Sequence, residues 1–240
     1  MAGRLRAARR FCLSGAMSSQ ELQTTRLLLV RHGESMVTVE RIVGGAVSCT
    51  GLSPLGRTQA ERLRDRLAAG HEPVVQRLYS STMPRAVETA EVLNEALVLP
   101  IEFDADLEEH RPGDADGLPW AEVEGRFGVY EGEKYPHRRL APGAESPAEF
   151  HHRVGVALHR LVEANLGSTV LVACHGGVID VVFRAALGLP LRPAYDLWTL
   201  NTSITELAAT HPVGVHPHRW RLVRYNDAAH LAGLPRATRA

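Results

Sequence analysis

Lysine is nearly missing from this chain: Lys134 stands alone, and almost all the positive charge is guanidinium. Genomic base composition accounts for such a bias, and no function is read from it. An excess of either sign is also lacking, with Lys+Arg and Asp+Glu equal at 27. A balanced chain has no global field to gather nucleic acid or an anionic membrane, so any anion binding must be local. Cysteine is scarce: Cys12, Cys49 and Cys174 have neither metal-ligand spacing nor the density of a disulfide scaffold. A reducing, cytoplasmic setting is expected. No stretch approaches the roughly 20 apolar residues of a membrane helix. What remains is 240 residues, 45% hydrophobic and 22% charged. That is the profile of a globular chain with one large domain or two small ones.

Residues 1–24 carry Arg4, Arg6, Arg9 and Arg10 ahead of a weakly apolar Phe11-Cys12-Leu13. Arg-rich and poor in acids, this segment reads as a transit peptide or as a disordered tail, with Met17 as an alternative start. The tail is the preferred reading. A domain is expected over 25–228, with 229–240 as a C-terminal tail.

From Thr25 the pattern is regular. Residues 26–30 form a short continuous apolar run, the mark of a strand buried on both faces. Ser53-Pro54 opens a helix with Leu55, Gln59, Leu63 and Leu67 as its repeat and Gly70 beyond its end. Strands are expected at 74–79, 101–103 and 169–173, and last strands at 203–208 and 219–224. Helices are expected at 82–97, at about 177–187, and from the capping box Ser146-Pro147-Ala148-Glu149 to about Asn165. Alternating strands and helices predict a three-layer α/β fold around a mostly parallel sheet. Residues 110–145 break the rhythm and read as an irregular lid or binding insertion.

In open α/β sheets, ligands bind at the carboxyl ends of strands. Three strands here end in polar groups: Arg31-His32-Gly33, then Ser80-Ser81 with Arg85 following, then His175-Gly176-Gly177 at a helix start. Two arginines and two histidines would converge beside a helix N-terminus that itself favours anions. This outlines a phosphate pocket. No His, Cys or acid spacing suggests zinc. The histidines His151, His152, His216 and His218 are expected at the surface.

Arg31-His32-Gly33-Glu34-Ser35 resembles the signature of the histidine phosphatase (phosphoglycerate mutase-like) superfamily. The resemblance continues in order through residues 52–60, 80–90, Leu107-Glu108-Glu109 with Gly113, Cys174-His175-Gly176-Gly177, and Asn201-Thr202-Ser203. It spans roughly residues 26–208. It implies that His32 is a nucleophile, with Arg31, Arg85, Thr38 and Gly33 holding phosphate and His175 completing the cradle if protonated. Glu109 is implied as the acid because it keeps the spacing to Gly113; Glu108 is the second choice. Thr38 stands where many members have Asn, and Asp114-Ala115-Asp116-Gly117 where they often have Asp-Trp-Glu-Gly.

The chemistry can be argued independently. A neutral imidazole attacks phosphorus competently, and a phosphohistidine divides one hard displacement into two easier ones. Nearby cations lower the His32 pKa, and a backbone carbonyl at the Gly33 turn can hold the hydrogen of its other ring nitrogen. Arginine forks match phosphate oxygens. The expected activity is hydrolysis of a small phosphate ester, with no cofactor, metal, nucleic acid or membrane. A phosphoglycerate-type mutase and a non-catalytic phosphate-binding module are the alternatives. A homodimer is left open, as is binding of a second acidic group by His137, Arg138 and Arg139.

Overall fold

The computed structural model describes residues 22–132, 134–191, 197–212 and 219–235. Six strands, β1 (Leu22–Arg31), β2 (Arg77–Ser80), β3 (Ile101–Phe103), β4 (Thr169–Cys174), β5 (Ile204–Pro212) and β6 (Arg219–Asp227), form one sheet in the order β3-β2-β4-β1-β5-β6. The β1–β4, β4–β2 and β2–β3 pairs are parallel, and only β5 runs against its neighbours.

The apolar run of β1 is explained by its place between β4 and β5. Its side chains alternate between two cores. Leu27 and Leu29 join Val170, Val172 and Leu207 beneath helices α5 (Pro147–Ala164) and α6 (Gly176–Leu187). Leu28 and Val30 join Leu171, Leu78 and Ile204 beneath α2 (Pro54–Ala68) and α3 (Pro84–Leu97), which supply Leu63 and Leu93. Helices on both faces give the expected three-layer α/β sandwich. Burying β1, β2 and β4 in register brings their carboxyl ends together: Arg31 lies opposite Cys174, and Ser80 opposite Ala173.

The helix starts follow their sequence signals. Ser53 Oγ accepts the Gly56 N–H, and Ser146 with Glu149 forms the reciprocal capping box. Several boundaries differ. The strand β1 begins at Leu22, inside the segment expected to be a tail, because residues 22–25 pair with β5. Residues 1–21, with Cys12, lie outside the described residues, as do His216, His218 and residues 236–240. The second strand starts at Arg77 rather than 74, and Val74 is exposed. Beyond β6, a short 3-10 turn at Ala229–Leu231 packs on α2, and His230 Nε2 lies 3.0 Å from Thr202 Oγ1.

Two helices have no counterpart in the sequence reading: α1 (Met36–Val39) and α4 (Trp120–Phe127). The second corrects the picture of 110–145 as irregular. Within this segment Ala115, Val123, Leu140, Ala141 and Ala144 bury one another and Val43, forming a satellite core of their own.

Candidate active site

The strand β1 ends by handing the chain across to α2 at close quarters. A Cβ at Gly33 would sit 2.4 Å from the Gly56 carbonyl oxygen, and one at Gly56 would sit 1.9 Å from the Glu34 oxygen. Backbone meets backbone there, so neither position has room for a side chain. Around this contact Thr89 Oγ1 accepts the Gly33 N–H, Gln59 Oε1 accepts the Glu34 N–H, and Ser53 Oγ donates to Glu34 Oε1. The His32 backbone is held on both sides, its N–H donating to Cys174 O and its carbonyl accepting from Asn201 Nδ2.

That frame fixes the His32 ring. Its Nδ1 lies 2.6 Å from the Gly33 carbonyl, an acceptor, so Nδ1 carries the hydrogen and Nε2 the lone pair. Arg85, on the first turn of α3, donates its Nε–H toward His32 Nε2 (3.1 Å) and His175 Nδ1 (3.3 Å). It is 4% exposed, so pairing with Glu88 or Glu91 on the helix surface is excluded as its setting. Its Nη1 donates to Gly44 O. His175 Nε2, in turn, donates to Ser81 Oγ at 2.8 Å. The two imidazoles meet edge to face with centroids 5.1 Å apart.

Both histidines are held well below the ordinary imidazole pKa, first by burial and then by the Arg85 guanidinium. Neutrality suits His32, while the same lowering at His175 works against the protonated form expected of it. Arg31 is also lowered by burial, against the attraction of the Glu109 carboxylate. Its Nη1 donates to the Thr199 carbonyl, and its Cζ lies 5.0 Å from the centre of the Trp198 ring.

Both imidazoles have a pKa below the usual 6.5 when folded and regain it on unfolding. Their contribution to stability is therefore present above about pH 6.5 and is lost as pH falls below it. The urea unfolding midpoint is expected to drop between about pH 7.5 and about pH 5. The drop should be shallower for His32→Asn; equal drops would remove His32 as a source.

The two acid candidates separate cleanly. Glu109 Oε2 accepts the Gly177 N–H in the first turn of α6 (2.9 Å), and Oε1 accepts the His110 N–H (3.0 Å). Gly177 permits this: a Cβ there would lie 2.2 Å from Glu109 Oε1. Glu108 faces elsewhere, pairing with Thr82 Oγ1 and Arg111. Nearby, Asp104 and Asp106 pair with Arg160.

Thr38 lies on α1, its hydroxyl 3.0 Å from Ser35 Oγ. Arg138 is engaged by Glu131, and Arg139 by Glu149 and the Ala144 carbonyl, and both remain exposed at the surface of the insertion. His151 is not a surface histidine: it is half-buried, with Nδ1 2.8 Å from Pro147 O. His152 is exposed. Sequence reasoning missed Asp116. Its carboxylate accepts the N–H groups of Gly45, Val47 and Ser48 and so fixes the loop whose Gly44 carbonyl receives Arg85. Asp116 stands where the usual pattern has Glu, and Ala115 fills the satellite core in place of the aromatic. Among the described residues no cluster of three or more His, Cys, Asp or Glu is arranged to hold a metal ion.

The sequence pattern of the histidine phosphatase superfamily (branch 1) matches residues 27–228. The chain belongs to that family. With membership comes the activity class, a metal-independent phosphomonoesterase acting on a small phosphorylated metabolite. This histidine phosphatase is 30% identical over 232 residues to glucosyl-3-phosphoglycerate phosphatase of Mycolicibacterium vanbaalenii, covering 88% of this chain and 98% of that one. It is 29% identical over 220 residues to phosphoglycerate mutase-like protein 4 of Arabidopsis thaliana, covering 89% and 90%. Among solved structures, Bacillus stearothermophilus YhfR superposes with a TM-score of 0.74 at 28% identity, over 86% of this chain and 99% of that one. The native mycobacterial glucosyl-3-phosphoglycerate phosphatase superposes with a TM-score of 0.71 at 26% identity, over 86% and 100%.

Proposed function

We propose that this histidine phosphatase cleaves phosphomonoesters by passing the phosphoryl group through His32 Nε2. The observation that carries the reading is the His32 ring itself: hydrogen on Nδ1 toward Gly33, lone pair on Nε2 toward the Arg85 guanidinium, with the His175 ring edge-on beside it. Arg31 and Arg85 hold the phosphoryl oxygens and offset the charge that spreads over them in the loose transition state. The Thr38 hydroxyl adds a donor, and Gly33 contributes by letting the backbone pass close to α2. His175 gives up the Arg85 hydrogen bond when the dianion arrives, and that negative charge favours its protonated form, which donates through Nδ1. Ser81 Oγ accepts from Nε2 in both states.

In the first half-reaction the Nε2 lone pair attacks phosphorus and the P–O ester bond breaks. Glu109 gives its proton to the leaving oxygen. In the second, Glu109 takes a proton from water, the new oxygen attacks phosphorus, and the P–N electron pair returns to Nε2. Inorganic phosphate leaves with Glu109 protonated again.

The named substrates of relatives, glucosyl-3-phosphoglycerate and phosphoserine, are phosphate esters of small acidic metabolites, which supports a substrate of that class. A cytoplasmic setting is supported by the free thiols of Cys49 and Cys174.

The test is to mix the protein with a panel of phosphorylated metabolites and an aryl phosphate, then quantify free phosphate and isomerised product. A neutral quench should trap a phosphoryl label on the peptide bearing His32, stable in alkali and lost in acid, with rates unchanged by chelator. Isomerisation outrunning hydrolysis would instead make the enzyme a mutase. Binding without turnover would make it a phosphate-binding module.

A further inference from the structure

Two buried polar atoms in the site have no hydrogen-bond partner among the described residues: Arg31 Nε and Thr199 Oγ1. Thr199 is 3% exposed, so water does not readily satisfy its hydroxyl. Buried polar groups are nearly always paired, and an orphan at a functional site asks what completes it.

Both orphans border one small space. A Cβ at Gly176, the first residue of α6, would lie 3.6 Å from Arg31 Nε and 3.6 Å from Thr199 Oγ1. These are ordinary contact distances, so the glycine leaves room there for an atom it does not itself supply. Arg31 is pinned in this attitude, with Nη1 bonded to the Thr199 carbonyl and Trp198 beside its Cζ. The Gly177 N–H is taken by Glu109, whereas the Gly176 N–H belongs to the helix's first, unpaired turn. A guanidinium N–H can only donate, a hydroxyl can donate, and the surroundings hold two arginines. The missing partner is therefore an acceptor carrying negative charge.

We infer that Thr199 is a further substrate-binding residue, whose hydroxyl joins Arg31 Nε in gripping one oxygen of the phosphorylated ligand at the start of α6. The inference rests on the proposed function for the identity of that ligand. It assigns a role to a residue outside the motifs that identify the family.

The test uses inorganic phosphate binding by calorimetry, together with KM and kcat for p-nitrophenyl phosphate, in Thr199→Val, Thr199→Ser and Gly176→Ala proteins. Thr199→Val keeps the shape and removes the donor. It is expected to weaken phosphate binding by about 10-fold or more, as for a lost hydrogen bond to a charged group, and to raise KM more than it lowers kcat. Thr199→Ser should stay within about 3-fold of the parent, because the hydroxyl remains. Gly176→Ala fills the space and should weaken phosphate as Thr199→Val does, with the unfolding midpoint unchanged. Parent-like phosphate binding in Thr199→Val would overturn the inference. The two readings fail separately: a parent protein that binds phosphate but hydrolyses no ester refutes the proposed function and leaves the Thr199 comparison readable. Normal hydrolysis with an indifferent Thr199→Val refutes Thr199 alone.

Discussion

Replacing His32 with alanine is expected to lower kcat for an aryl phosphate by about 10⁴-fold or more, the scale seen when a covalent nucleophile is removed. The size follows from the absence of a substitute. The neighbouring imidazole, His175, has its Nε2 committed to Ser81 and its ring edge-on to His32. Arg31 and Arg85 would remain, so phosphate should still bind while turnover stops. Steady-state rates beside phosphate calorimetry separate the two effects. A His32→Ala protein that retains even about 1% of the rate would move the nucleophile elsewhere, given the loss expected above.

The second large effect belongs to Glu109. Glu109→Gln keeps the acceptor for the Gly177 N–H and removes the transferable proton. A general acid–base group contributes about 10² to 10⁴-fold, and the loss should depend on the leaving group. An alkyl phosphate, whose oxygen must be protonated to depart, should lose most. A p-nitrophenyl ester needs less help in the first step, but water activation still fails. The variant should therefore release one equivalent of nitrophenol in a burst and then stall as phosphoenzyme. Glu108→Gln is the control, since Glu108 is occupied by Thr82 and Arg111, and it should change kcat little. The reverse ranking would transfer the role to Glu108.

The sequence made the centre of the sheet readable because burial on both faces writes an uninterrupted apolar run, as in Leu27–Val30 and Val170–Ala173. The α2 and α5 starts were readable because Ser53 and Ser146 carry cap chemistry in single side chains. The short helix α4 was not: it buries only Val123 among its own residues and leans on Leu140, Ala141 and Ala144, distant in sequence. The histidines and arginines of the site were legible from motifs, since each closes a strand or opens a helix. Their protonation was not, because the neutrality of His175 comes from burial that no local pattern records. Glu108 and Glu109 could not be separated by residue type. The choice lies in extended backbone at Glu108, which sends adjacent side chains opposite ways, and in a Gly177 N–H from 68 positions later. Asp116 was visible only as a departure from the usual pattern and Thr199 not at all, since their partners, the amides of 45–48 and Arg31, come from elsewhere in the chain.

The place of β1 carries a consequence for how the protein is made. Among the described strands β1 comes first in the chain, yet it sits in the middle of the finished sheet, between β4 at Thr169–Cys174 and β5 at Ile204–Pro212. Until those late segments emerge, His32 has neither the Cys174 carbonyl nor the Asn201 amide that hold its backbone. A nascent chain halted before about residue 200 would thus carry the nucleophile without its support, and long-range pairing of this kind closes slowly. The backbone support of the nucleophile therefore waits on a residue 169 positions further along the chain.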